Sequence, residues 1–242
     1  MRLTRVFVDQ PLAAGESCNV GGSAANHIMR VLRLREADAL TLFDGRGGEY
    51  GARIAGFRKD SVQVEVKEHR DVERESTLNL TLAQGISRGE RMDWVMQKAT
   101  ELGVTRIIPV ITERTMVKLD ERQADRKLEH WRAIVVSACE QCGRNRVPEV
   151  ILPQVYIEAV RSIDTAVTRV LLSPTGTLRA RDLGEPASIA ILIGPEGGLS
   201  DKEQEAAIGA GFQPLRMGPR ILRTETAAIA ALAALQHNYG DI

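Results

Sequence analysis

The chain lacks any apolar run of about 18 residues or more, so no membrane-spanning helix is expected of it. Its opening stretch, MRLTRVFVDQPL, lacks the apolar middle that a secretory signal needs. Cysteine is scarce: Cys18, Cys139 and Cys142 make an odd set with no even disulfide framework. Cys139 and Cys142 form C-x-x-C at the end of an expected helix, where the helix dipole does not favour a thiolate. No second Cys or His pair completes a zinc site, so no metal is expected and the two are read as packing residues of a reduced, cytoplasmic protein. Net charge is missing too, with 32 Lys and Arg set against 32 Asp and Glu. Any basic footprint for nucleic acid must therefore be local. G-x-G-x-x-G and G-x-x-x-x-G-K-[ST] are both absent, which disfavours a dinucleotide-dependent dehydrogenase and a P-loop.

What remains is an ordinary globular composition, 43% apolar and 26% charged over 242 residues, enough for one large or two modest domains. The first seventy residues alternate apolar and polar at period two in RLTRVFV (2–8), DALTLFDG (38–45), GEYGARIAGF (48–57) and SVQVEVKE (61–68), with Gly and Asp between them. One helix is expected over SAANHIMRVLRL (23–34), with Ala24, His27, Ile28, Val31 and Leu32 on a shared stripe. This predicts a small β-barrel over residues 1–72, and the charged, aperiodic HRDVERES (69–76) reads as a linker.

From Leu78 strands and helices alternate, which predicts an α/β domain with a mostly parallel sheet over 73–242. The strands are LNLTLAQGI (78–86), RIIPVIT (106–112), TRVLLSP (168–174), SIAILIG (188–194) and PLRMG (214–218). Two capping boxes, Ser87 to Glu90 and Ser200 to Glu203, are expected to open helices. Further helices are read over 121–142 and 224–236.

Three strand ends carry unusual loops: LLSPTG (171–176), IGPEGG (193–198) and MGPRILRTETA (217–227). In open α/β sheets, ligands sit beyond the carboxyl ends of strands, and glycine lets backbone pass close to them. Two of these loops hold Gly-Pro, which pre-bends the chain, and stiff loops with exposed backbone groups suit a ligand read by main-chain hydrogen bonds, such as an adenine ring. The alternative is that the turns only connect elements.

The same residues resemble the signature of the RsmE family, the SPOUT-superfamily methyltransferases that modify uridine N3 in small-subunit (16S) ribosomal RNA. GPRILRTETA (218–227) is the most specific piece, and SRGERMDWVMQKATELGV (87–104), ACEQCGRNRVPEV (138–150) and NHIMRVLR (26–33) extend the likeness along nearly the whole chain. The resemblance implies a C-terminal SPOUT domain with a trefoil knot, an N-terminal PUA-like RNA-binding domain and a homodimer. It implies S-adenosylmethionine held by Leu172, by Gly194, Pro195, Glu196, Gly197 and Gly198, and by Met217, Gly218, Ile221, Leu222 and Thr224. Met217 stands where the pattern has Leu.

Uridine N3 is a poor nucleophile until its proton leaves, so the reaction needs a positioned methyl, a proton acceptor or anion stabiliser, and dryness. Arg220 and Arg223 offer permanent cations, and Glu225 and Glu196 are the carboxylates within reach of the same loops. Glu225 could equally be a favourable acid at a helix start, and Glu196 a turn carboxylate that binds backbone N–H groups. For RNA, the basic loop with Arg144, Asn145 and Arg146 suits phosphate and base-edge contact, and Arg2, Arg5, Arg30 and Arg33 form a local positive excess in the first domain. His27 is either a phosphate contact or a structural histidine. The competing readings are a methyltransferase of this fold with another RNA target, and a non-catalytic RNA-binding module.

Overall fold

The computed structural model describes residues 4–116 and 119–242. Two compact units emerge, one of Met1–Glu75 with Cys139–Val147 and the other of Ser76–Ala138 with Pro148–Ile242. The first unit thus takes in a later segment of chain, which period-two alternation over the early residues could not reveal.

In the first unit five strands curl into one sheet of order β1-β3-β4-β5-β2. They are β1 (Arg5–Phe7), β2 (Ser17–Gly21), β3 (Ala39–Phe43), β4 (Glu49–Phe57) and β5 (Ser61–Arg70). β1 runs parallel to β3 and the other pairings are antiparallel. Alternation sends Val6, Leu40, Leu42, Ile54, Val62 and Val64 inward to one core. β2 escaped sequence reading because only Val20 of SCNVG is buried. β5 also absorbs His69 and Arg70, which had been read as linker.

The expected helix over 23–34 is two pieces. α1 spans Gly22–Asn26, and a π-helical turn follows over His27–Leu32, closed by Arg33 in the left-handed region at φ 52°. Wider π turns shift the side-chain phase, so Ile28 stays buried while Val31, expected on the core stripe, is 67% exposed. Leu32 packs on the core as expected, and Met29 joins it there.

The basic loop of this unit turns inward. The Arg5 guanidinium pairs with Glu49, donates to Asn145 Oδ1 at 2.6 Å and to the Arg144 carbonyl at 3.1 Å, and lies 4.8 Å from the Phe43 ring centroid. Arg144 forks onto the Glu75 carboxylate, and Asn145 Nδ2 donates to the Val72 carbonyl at 2.6 Å. Arg146 pairs with Glu73 at 2.9 Å. Arg5, Arg144 and Asn145, expected at RNA, thus all have protein partners for their side chains, and Arg144 and Asn145 are buried. Their partner carboxylates lie some 44 to 69 residues away in sequence, so spacing could not pair them. Cys139 is buried in the same region, and burial pushes its thiol up to about 12, consistent with packing rather than redox chemistry.

The second unit is built on a parallel sheet of order β12-β10-β11-β6-β7-β8, with β9 also on β7. Its strands are β6 (Asn79–Gly85), β7 (Arg106–Ile111), β8 (Glu149–Val150), β9 (Gln154–Val155), β10 (Thr168–Leu172), β11 (Ser188–Ile193) and β12 (Gln213–Leu215). The helices are α2 (Glu90–Glu101), α3 (Glu121–Cys142), α4 (Tyr156–Ser162), α5 (Asp201–Gly209) and α6 (Thr224–Tyr239). α2 packs on α6, and α4 packs on α5. Strands that read as continuous β-branched runs are buried on both faces, as a helix-covered parallel sheet requires.

One capping box forms and one does not. Ser200 Oγ accepts from Glu203 N–H and Glu203 Oε2 accepts from Ser200 N–H, opening α5 as expected. α2 begins instead after Gly89, at φ 53°, with no side-chain cap, because Ser87 Oγ donates to the Gly85 carbonyl. Among the described residues no helix is long and apolar enough to cross a membrane.

The Arg5–Glu49 pair generates a stability prediction. Glu49→Ala would leave a nearly buried guanidinium without its carboxylate, and is expected to cost about 3 kcal/mol in denaturant-induced unfolding. Arg5 keeps its contacts to Asn145 and the Arg144 carbonyl, which places the loss at the low end for broken buried pairs.

Candidate functional site

The carboxyl ends of β10, β11 and β12 leave three neighbouring loops, and a cleft of about 600 Å³ opens among them. Leu172, Ser173 and Pro174 line it from the first loop, Gly194 to Leu199 from the second, and Met217, Gly218 and Arg220 to Glu225 from the third. Every residue expected to hold the cofactor, and all four catalytic candidates, thus come to one place in the fold.

Glycine is required here by close approach. A Cβ on Gly85, the last residue of β6, would stand 2.4 Å from Pro195 N, and one on Gly194 would stand 2.9 Å from Gly198 C. The Pro195 turn closes with Gly198 N–H donating to the Pro195 carbonyl at 2.8 Å. Beneath it lies a polar clasp. Thr224 Oγ1 donates to the Gly194 carbonyl at 2.7 Å and accepts from Gln84 Nε2 at 2.9 Å. Gln84 Nε2 also faces the Gly85 carbonyl at 3.0 Å. Gln84 and Thr224 are both buried, so three segments distant in sequence meet through buried hydrogen bonds, with Gln84 Oε1 left unpartnered among the described residues.

Glu196, the lone carboxylate of the Pro-Glu-Gly-Gly loop, is a brace. Its Oε1 accepts from the Arg88 backbone N–H at 2.9 Å and from Arg91 Nη1 at 3.1 Å. Burial pushes its carboxyl up, but hydrogen bonds from the Arg88 and Glu196 backbone and from Arg91 outweigh this and hold it below the usual carboxylate range. Arg114 ties the same loop by donating to the Gly197 carbonyl at 2.8 Å. Glu225 differs: Oε1 lies 3.8 Å from Arg91 Nε, while the buried Oε2 has no hydrogen-bond partner among the described residues. Arg220 and Arg223 are exposed at the rim, and Ile221 beside them is 87% exposed.

Gln84, Arg91, Arg114 and Gln204 belong to the site, yet none was singled out from sequence. A signal existed for Gln84, a polar residue facing inward at the glycine end of an otherwise apolar strand. Of the RNA candidates, Arg30 and Arg33 are exposed on the π-helical turn and its exit, and His27 is half-buried. Arg146 is exposed but paired with Glu73, and Arg2 lies outside the described residues. No group of three or more potential metal ligands occurs among the described residues.

Residues 74–236 match the RNA methyltransferase domain, and residues 20–67 match the RNA methyltransferase PUA domain. Parallel α/β sheet, loop-walled cleft and accessory β unit together define the class: an RNA methyltransferase. The protein called ribosomal RNA small subunit methyltransferase E in Buchnera aphidicola is 34% identical, covering 100% of this chain and 98% of its own length. The Bacillus subtilis protein of that name is 32% identical, covering 97% and 96%. A Neisseria gonorrhoeae structure of the same name, bound to S-adenosylmethionine, superposes with a TM-score of 0.93 at 40% identity over 100% of both chains. A Legionella pneumophila methyltransferase, also solved with that cofactor, gives 0.96 at 42% identity over 100% of both chains. The chain belongs to the ribosomal RNA small subunit methyltransferase E family, as its signature segments had implied.

The lowered carboxyl of Glu196 sets a sign. Its stabilisation of the loop is complete above the ordinary carboxylate range and is lost as pH falls through its depressed value. The stability difference between wild type and Glu196→Gln, followed by denaturant unfolding, is therefore expected to be constant near neutrality and to shrink on acidification.

Proposed function

We propose that this protein transfers a methyl group from S-adenosylmethionine to N3 of a specific uridine in the 16S RNA of the small ribosomal subunit, acting in the cytoplasm as a homodimer. The observation that carries this reading is the convergence of all three loops on one cleft, in a chain that covers 98% of its Buchnera relative and 96% of its Bacillus one. The walls fit a nucleoside. Backbone of Gly194 to Gly198 and of Met217 to Thr224 offers hydrogen-bonding groups, while Leu172, Ile193 and Leu222 add apolar surface. When bound, S-adenosylmethionine supplies an electrophilic methyl group on a cationic sulfur, and methylation of N3 releases its proton.

The chain's own residues divide the remaining work. Glu225 accepts the N3 proton, supported by a buried oxygen with no other partner at the cleft. Glu196 is too well stabilised as a carboxylate for that role and keeps the loop shaped. Arg220 and Arg223 present cations for charge developing on the uracil oxygens or for RNA phosphate. Arg30, Arg33 and His27 of the PUA-like unit contact RNA. A knotted chain path is part of the reading, and the Gln84–Thr224–Gly194 clasp suits a segment held tightly against the sheet end. Ile221, so far exposed, suits cover by a second subunit.

Calorimetry with S-adenosylmethionine and methyl transfer to small-subunit RNA from a strain lacking the modification test this directly. Gly194→Trp is expected to abolish donor binding, since even a Cβ meets backbone at 2.9 Å. Glu225→Gln is expected to bind the donor normally and to lower kcat by about 10² or more. Active, folded protein that places no label in this RNA, or places it on another nucleotide, would overturn the substrate assignment.

A further inference from the structure

Beside the cleft lies a second pocket, of about 680 Å³, that shares Met217 and Gly218 with it and is lined otherwise by Gly176, Thr177, Arg179, Arg216 and Pro219. Its two arginines stand together for a backbone reason. Leu178 and Leu215 form a parallel bridge, and Arg216 N–H donates to the Leu178 carbonyl at 2.8 Å. The residue after each bridge partner is an arginine, so Arg179 and Arg216 are brought to the same pocket wall. Neighbouring like charges across strands are destabilising unless something compensates them. Nothing in the second unit does so: both side chains are exposed, and neither has a carboxylate partner among the described residues. Asp182, three residues on, already accepts from the Arg179 backbone N–H and lies 3.8 Å from Arg181. Arg216 is partly fixed, its Nε donating to the Gly218 carbonyl at 2.9 Å, which leaves its two terminal nitrogens to a ligand.

We infer that Arg179 and Arg216 form an anion site for a backbone phosphate of the substrate RNA, next to the nucleotide presented at the cofactor cleft. This rests on the RNA methyltransferase reading above. Paired planar forks suit the tetrahedral oxygens of a phosphodiester. The shared Met217–Gly218 wall puts the site one lining segment away from the cleft. From there a held phosphate fixes the strand's register without reading sequence.

The test compares wild type, the Arg179→Ala/Arg216→Ala double variant and the Arg179→Lys/Arg216→Lys double variant. Each is first checked for unchanged thermal unfolding and for unchanged S-adenosylmethionine affinity by calorimetry. Binding of unmethylated small-subunit RNA is then measured between about 50 and 200 mM salt. The alanine pair is expected to bind about tenfold more weakly, with the slope of log K against log salt reduced by about 1, and the lysine pair to recover the slope. Wild-type RNA affinity and slope in the alanine pair would overturn the site. So would an equal loss of donor affinity, which would give the arginines to the donor's carboxylate, or a change in subunit assembly, which would give them to a second copy. Wild type that binds RNA through these arginines yet transfers no methyl would sink the catalytic reading and leave the anion site standing.

Discussion

The hydroxyl of Thr224 does two things at once, donating to the Gly194 carbonyl and accepting from Gln84, and the rest of the site depends on it. Removing one partner would leave a buried polar group unsatisfied, which is costlier than losing an exposed hydrogen bond. That asymmetry makes the arrangement nearly all-or-none. It explains why loops rich in glycine can nonetheless be stiff. Gly85 and Gly194 supply no flexibility here; they remove side chains so that two backbones can touch, and the clasp then locks them.

Around this lock the charged groups fall into separate duties. Arg91 and the Arg88 backbone satisfy Glu196, which shapes the loop, while Glu225 keeps one oxygen unpaired. Two carboxylates close to one arginine thus face different surroundings, a common way to separate a structural acid from a reactive one. Among the described residues, the four arginines at 179, 216, 220 and 223 have no carboxylate partner. A chain with no net charge therefore concentrates unneutralised cations at one locality, while cancelling those in the loop after α3.

Much of the layout was legible because its physics is local. Strand–helix alternation from Leu78 onward, the helix over 121–142 and the Ser200 box all depend on residues within a few positions of one another. The three loops were legible because Gly-Pro and Gly-Gly at strand ends have few other uses. What escaped were decisions made at long range. Arg144 and Asn145 look like a basic RNA loop until Glu75 and Val72 are seen beside them. The Ser87 box matched its pattern, but the Gly85 carbonyl captured the hydroxyl. Val31 turned outward because a π turn changed the helical phase, which no 3.6-residue stripe anticipates.

The distance along the chain between Gln84 and Thr224 also sets an order in time. A polypeptide emerging from the ribosome can complete the β6 strand early, yet the lock waits until 140 further residues have been made. Domains close as units during synthesis, N-terminal parts first, so the residues of the first unit are all made well before the last wall of the cleft.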